Sequence, residues 1–137
     1  MGYLLDTNAC IALINGKNAQ VRARFEKVID AGGQVFVSSV ATFELWYGAA
    51  KSERREANAR AVETFFAGPV ELLPFDGEDA IEAGEIRAEL ERRGKPIGAY
   101  DVLIASQALR HKLTLVTANM KEFGRVRRLD WEDWGRA

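Results

Sequence analysis

Cysteine and histidine are nearly absent from the sequence, and this limits the kinds of site that it can build. Among 137 residues there is one cysteine, Cys10, and one histidine, His111. A single cysteine cannot form an intramolecular disulfide bond, and the pair cannot supply the ligand set of a Cys/His zinc site. The same shortage removes most of the familiar catalytic triads.

Long apolar runs and an excess of one charge are also missing. No apolar stretch approaches the roughly 18 residues that would cross a bilayer, and no basic segment precedes an apolar one at the start. We therefore expect no membrane segment and a reducing cytoplasm. Nineteen Lys and Arg against twenty Asp and Glu give a net charge of −1. A polyanion would have to bind through a local patch or a metal ion.

Apolar residues make up 47% of the chain, enough for one compact domain that spans residues 1–137. Their spacing predicts strands that alternate with helices, which implies parallel pairing and an α/β/α sandwich. The predicted strands cover residues 3–5, 34–37, 70–75 and 113–117. The predicted helices cover residues 9–14, 21–29, 40–51, part of 52–67, 80–93, 102–111 and 120–123.

Polar residues follow two of these strands directly. Asp6 comes after the first strand, and Asn119 lies just beyond the fourth. If the two strands adjoin where the strand order reverses, the two side chains face each other across a ligand crevice. Glu44 and Asp101 lie in largely apolar helices that could enter the same crevice. A buried, unpaired carboxylate costs several kcal/mol, so this group of acids predicts a bound cation.

Oxygen ligands without histidine or thiol favour Mg²⁺ or Mn²⁺. The chemistry that suits such a site is metal-assisted hydrolysis of a phosphodiester. Thr7 and Thr117, each beside a strand end, are candidates to support the acids through hydrogen bonds. Each threonine could instead satisfy only its local turn.

Each acidic or amide candidate has a structural alternative. Asp6 and Asp101 could be helix N-caps, Glu44 could pair with an arginine, and Asn119 could serve a turn. A different enzymatic reading makes Asp6 the nucleophile of an aspartyl phosphotransferase. That reading is weakened because Asn8, rather than a second acid, stands two positions later.

Several motifs, in order, resemble the PIN domain ribonucleases of the VapC toxin type. The resemblance covers nearly the whole chain and rests on Leu4–Asn8, Ser38–Val40, Phe43–Leu45, Tyr47–Gly48, Gly94–Gly98 with Asp101, Ile104–Ala105, Leu113–Asn119, Glu122–Phe123 and the ending Leu129–Trp134.

The resemblance implies that Asp6, Glu44 and Asp101 are the metal-binding acids and that Asn119 occupies the fourth position. Many members carry aspartate at that fourth position, so asparagine lowers the negative charge available to a second metal ion. The resemblance further implies a sheet of four or five mostly parallel strands and a homodimer. It implies RNA as the substrate, often a structured RNA such as tRNA. The expected partner is a VapB-like antitoxin that neutralises the toxin in a heterotetramer or larger complex.

Basic residues near the fourth predicted strand offer separate support for RNA. They are expected near the carboxyl edge of the sheet, where they would contact phosphates. The residues are Arg110, His111, Lys112, Lys121, Arg125, Arg127 and Arg128. A solvated basic face is the alternative. A non-enzymatic reading, in which the protein binds RNA or regulates without useful catalysis, is compatible with Asn119.

Overall fold

A computed structural model describes residues 1–136 and contains a five-stranded parallel sheet. The strand order is β3-β2-β1-β4-β5, and every neighbouring pair is parallel. The strands are β1 (Gly2–Leu5), β2 (Gln34–Ser38), β3 (Glu71–Leu73), β4 (Thr114–Val116) and β5 (Trp131–Glu132). The predicted class, an α/β fold with a four- to five-stranded mostly parallel sheet, is confirmed.

Helices connect these strands and flank the sheet. They are α1 (Thr7–Asn15), α2 (Ala19–Asp30), α3 (Ser39–Lys51), α4 (Arg55–Ala67), α5 (Gly77–Arg92), α6 (Ala99–Arg110) and the short α7 (Met120–Phe123). Helices α3 and α4 pack against each other, as do α5 and α6. Among the described residues, no helix is long and apolar enough to cross a membrane.

The central strand β1 lies at the point where the strand order reverses. From β1 the chain continues on one side to β2 and β3, and it then crosses to the other side to form β4 and β5. Leu4 and Leu5 of β1 are fully buried, as is Leu115 of β4. Because β1 pairs directly with β4, the residues that follow these two strands meet at the same edge of the sheet.

Several predicted boundaries needed correction. The third strand is shorter than predicted, because Pro74 lacks the N–H that a further ladder hydrogen bond would need. Helix α1 begins at Thr7, two residues earlier than predicted, since Asp6 caps it directly. Strand β5 was not predicted, because a two-residue strand carries no periodicity.

Candidate active site

A cavity of about 790 Å³ opens at the carboxyl ends of β1 and β4. It brings together four of the residues predicted from the sequence, Asp6, Glu44, Asp101 and Asn119, together with Thr7. The other lining residues are Asn8, Ile11, Phe43, Tyr47, Gly48, Lys51, Tyr100 and Phe123. Residues separated by more than a hundred positions in the chain therefore share one open site.

Asp6 is held rigidly at the end of β1. It is the N-cap of α1, and its Oδ1 accepts a hydrogen bond of 2.7 Å from the backbone N–H of Ala9. Burial raises the pKa of Asp6, and the negative charges of Glu44 and Asp133 raise it further. Hydrogen bonds from Thr117 and Ala9 act in the opposite direction. Capping and a functional role are therefore compatible for Asp6, because the cap uses only one carboxylate oxygen.

Glu44 enters the cavity from α3 and is oriented by Thr7. The Thr7 hydroxyl donates a hydrogen bond of 2.6 Å to Glu44 Oε1. Among residues 1–136, no arginine or lysine nitrogen lies within 4.0 Å of the Glu44 carboxylate, so the structure gives no support to a pairing with arginine. This hydrogen bond is the contact through which Thr7 could support the acids, as predicted from the sequence.

Asp101 lies in the first turn of α6, but it is not the helix cap. Gly98 occupies the N-cap position, and Asp101 follows as the third helical residue. Burial raises the pKa of Asp101 to about 7, with further contributions from Glu122, Asp6 and Glu44. A Cβ atom at Gly98 would stand 3.3 Å from Asp101 Oδ2. The glycine therefore gives this carboxylate room.

Glu122 was not predicted as a site residue, yet it belongs to the same group. Its Oε2 accepts a hydrogen bond of 3.0 Å from the amide nitrogen of Asn119. A hydrogen bond from Asp101 lowers the pKa of Glu122, and the Asn119 contact lowers it further. The backbone N–H of Asn119 donates to Thr117 Oγ1 at 2.9 Å. The i, i+3 spacing of Asn119 and Glu122 is the sequence signal that could have indicated this pair.

The acidic group lacks a positive partner of its own. In the part of the chain that the structure describes, no Lys, Arg or His nitrogen comes within 4.0 Å of the carboxylates of Asp6, Asp101 or Glu122. Neighbouring acids instead raise the pKa values of Asp6 and Asp101, in addition to the effect of burial. A hard divalent cation would relieve this repulsion, so the donor set fits Mg²⁺ or Mn²⁺.

The side chains do not converge on a single point. Within residues 1–136, no three Asp, Glu, His or Cys side chains are close enough together to hold one ion directly. This arrangement suits Mg²⁺, which usually binds one or two carboxylates directly and keeps several water molecules. The remaining acids would then act through water rather than by direct ligation.

Part of the predicted basic patch lies elsewhere. Arg110 stands at the far end of α6, about 13 Å along the helix axis from Asp101. Arg110 forms ion pairs with Asp79 at 2.9 Å and with Asp76 at 3.2 Å. The prediction that Arg110 lies near the carboxyl edge after the fourth strand is therefore wrong. Arg125, in contrast, follows β4 and donates a hydrogen bond of 2.7 Å to the carbonyl oxygen of Pro96.

The matching family model is that of the PIN domain, and it covers residues 3–129. This chain belongs to the PIN domain family. The chain is 43% identical, over 132 residues, to the "tRNA(fMet)-specific endonuclease VapC" of Shigella flexneri, a match that covers 96% of this chain and 97% of that protein. It is 37% identical to the "Ribonuclease VapC2" of Rickettsia felis, with 98% of each chain covered.

Solved structures of this PIN domain's relatives agree with the fold. A crystal structure of VapBC2 from Rickettsia felis, bound to a promoter DNA fragment, contains a chain that superimposes with a TM-score of 0.91 at 36% identity. The match covers 98% of this chain and 99% of that one. DNA-bound VapBC from Salmonella typhimurium gives a TM-score of 0.89 at 41% identity, with 98% of both chains covered. The resemblance to VapC proteins is confirmed.

Proposed function

We propose that this PIN domain is a Mg²⁺- or Mn²⁺-dependent endoribonuclease and the toxin of a type II toxin–antitoxin pair. The observation that carries the proposal is the cavity in which Asp6, Glu44, Asp101 and Asn119 meet, with no Lys, Arg or His nitrogen of residues 1–136 within 4.0 Å of the three carboxylates. The ribonuclease names of the VapC relatives support the reaction, and the VapBC structures support the biological role.

The chemistry follows from what each side chain can do. Asp6 and Asp101 would hold the ion, and Glu44, oriented by Thr7, would bind it directly or through water. The divalent ion would supply stabilisation of negative charge on the phosphodiester oxygens. Asp101, whose pKa is about 7 without a metal ion, would have to lose its proton to bind the ion. Thr117 would keep Asp6 in place through its hydrogen bond.

The proposed partners are an RNA substrate and an antitoxin. The relative from Shigella flexneri is named for a tRNA, so tRNA is the first substrate to test. A VapB-like antitoxin is proposed because similar chains were crystallised in VapBC complexes. Homodimer formation, a heterotetramer or larger complex with the antitoxin, and a cytoplasmic location remain predictions.

An Asp6→Asn variant tests the proposal cleanly. Asparagine caps helices about as well as aspartate, so the variant keeps the start of α1 while it removes the charge. We expect the purified wild-type protein to cleave tRNA with Mg²⁺ or Mn²⁺ and to lose this activity with EDTA. The variant should be inactive, with a thermal unfolding midpoint in EDTA no lower than that of the wild-type protein, because the amide removes a buried charge.

Glu85→Gln is the matched control, since Glu85 is an exposed acid of α5 outside the cavity. It should retain full activity. An Asp6→Asn variant that cleaves as fast as this control would remove Asp6 from the mechanism. Absence of metal-dependent cleavage by the wild-type protein would favour an RNA-binding or regulatory role. A trapped aspartyl phosphate on Asp6 would favour the phosphotransferase reading.

A further inference from the structure

Three exposed aromatic rings, Phe43, Tyr47 and Tyr100, form one wall of the acidic cavity, and they are called the aromatic wall below. We propose that the aromatic wall stacks against unpaired RNA bases next to the phosphodiester held by the acids. This inference rests on the proposed function, because it assigns base-contacting side chains to the site that is proposed to cut RNA.

The rings of the aromatic wall hold one another in place. The Phe43 and Tyr47 rings lie nearly parallel, 17° apart, with centroids 6.3 Å apart. Tyr100 meets Phe43 edge to face at 5.8 Å between centroids. Despite these contacts, Phe43 is 53%, Tyr47 56% and Tyr100 46% exposed. Fixed, accessible rings lose little conformational entropy when a flat ligand stacks on them.

The position of the aromatic wall ties it to the acids. Phe43 directly precedes Glu44 on α3, and Tyr100 directly precedes Asp101 on α6. Each ring therefore comes from the same helical turn as a carboxylate of the cavity. A nucleotide whose phosphate lies at the acids would therefore have its base within reach of these rings.

Lys51 supplies positive charge at the end of the aromatic wall. Its Nζ lies 4.9 Å from the centroid of the Tyr47 ring, and the residue lines the same cavity. The spacing Phe43, Tyr47, Lys51 is i, i+4, i+8 on α3, so the three side chains form one row along the helix. Aromatic faces beside a cation are the combination that binds single-stranded nucleic acid, with bases on the rings and phosphate at the cation.

The composition of the cavity favours RNA over an apolar peptide. Ile11 is the only aliphatic side chain larger than alanine among the described residues that line it, whereas a helix-binding groove needs several such side chains in a row. The rings instead share the cavity with carboxylates, an amide and a lysine. Duplex RNA presents no free base faces, so the aromatic wall should add nothing to its binding.

The test uses a single-stranded hexaribonucleotide that carries 2-aminopurine, a base whose fluorescence falls when it stacks. Its fluorescence and its affinity for the protein are both measured. Binding is measured with Mg²⁺ in the Asp6→Asn background, which prevents cleavage. We expect quenching with the intact aromatic wall. Phe43→Ala, Tyr47→Ala and Tyr100→Ala should each weaken binding about 5- to 150-fold and reduce the quenching. Tyr47→Phe should keep the wild-type affinity and quenching, because it keeps the ring. An RNA duplex of the same length should bind all of these variants equally well.

Trp46→Ala is the matched control. Trp46 is an aromatic residue of α3 that is 38% exposed but does not line the cavity. Trp46→Ala should change the affinity for the oligonucleotide by less than about twofold. This is smaller than the loss expected when a stacking ring is removed. Tyr47→Leu guards against misfolding, because it keeps an apolar side chain on α3 but removes the ring and its hydroxyl; it should weaken binding as Tyr47→Ala does.

Unquenched fluorescence, or aromatic-wall variants that bind the oligonucleotide as tightly as the Trp46→Ala control, would overturn the inference. If the variants keep RNA binding but lose binding to the VapB antitoxin of the Salmonella typhimurium complex, the aromatic wall is a protein-docking surface instead. Cleavage by the wild-type protein is measured in parallel. Stacking without metal-dependent cleavage would refute the proposed function alone, and cleavage without stacking would refute only this inference.

Discussion

Metal binding at this site should depend steeply on pH, because a proton competes with the ion at Asp101. Burial and the neighbouring acids raise the pKa of this carboxyl to about 7. It is therefore about 10% ionised at pH 6, half ionised at pH 7 and about 90% ionised at pH 8. Since only the ionised form is a good ligand, the affinity for Mg²⁺ should rise about tenfold between pH 6 and pH 8. Asp6, whose pKa is also raised, acts in the same direction.

The same shift has the opposite effect on the metal-free protein. The Asp101 pKa in the folded state is raised above its ordinary value of 3.8, so the folded state binds more protons between about pH 4 and pH 7. The stability contributed by Asp101 is fully present below that window and is lost as the pH rises through about 7. With EDTA the unfolding temperature should therefore fall from pH 5 to pH 8, as far as this residue controls it. The gain in unfolding temperature from Mg²⁺ should be larger at pH 8 than at pH 6.

Isothermal titration calorimetry at pH 6, 7 and 8 measures the affinity, and buffers of different ionisation enthalpy count the protons released. About half a proton should be released from Asp101 per ion at pH 7. Glu122→Gln removes the neighbouring carboxylate that raises the Asp101 pKa most. The pH at which metal affinity is half-maximal should therefore move downward. Glu85→Gln, which lies outside the cavity, should leave the midpoint unchanged. Equal affinity at pH 6 and pH 8 in the wild-type protein would refute the reasoning.

Three further predictions concern single contacts. Thr7→Val removes the 2.6 Å hydrogen bond to Glu44 and should reduce metal affinity or cleavage about 10- to 100-fold, with unfolding little changed. Leu4→Ala opens a cavity in the fully buried central strand and should lower the free energy of unfolding by about 3 kcal/mol in urea titrations. Arg110→Ala leaves Asp79 without its closest cation and should lower the free energy of unfolding in urea titrations, while cleavage per folded molecule stays normal. Lost cleavage in this last variant would restore Arg110 to the RNA-binding patch.

Much of the fold followed from the sequence because the strands that matter are short apolar runs. Leu4 and Leu5 predicted β1, and the run that contains Leu115 predicted β4. The prediction that Asp6 and Asn119 meet depended on one condition, that these strands adjoin, and their pairing is observed. Strand β5 could not be predicted, because its pairing is set by the position of β4 and not by a pattern of its own.

The charged residues were harder to place, because sequence gives their number and not their partners. Glu122 reads as an ordinary acid of a short helix until α7 brings it against Asn119 and Asp101. Asn119 lowers the charge at the fourth position of the site. Glu122, one helical turn later, returns a carboxylate to the same neighbourhood. The total charge of the site is thus a property of the fold around β4 rather than of any one position.

Two buried aspartates differ in whether the fold gives their charge a positive partner. Asp79 is fully buried, but Arg110 lies 2.9 Å from it, and its other oxygen accepts a hydrogen bond of 3.0 Å from the backbone N–H of Asp76. Asp6 is nearly as buried, yet among residues 1–136 no cation lies within 4.0 Å, and its charged neighbours are acids that raise its pKa. The fold can neutralise a buried carboxylate, as Asp79 proves, and it does not do so at Asp6. The cation of the proposed function would relieve this repulsion beside an open cavity, and the pH dependence of its binding is the measurement that would reveal it.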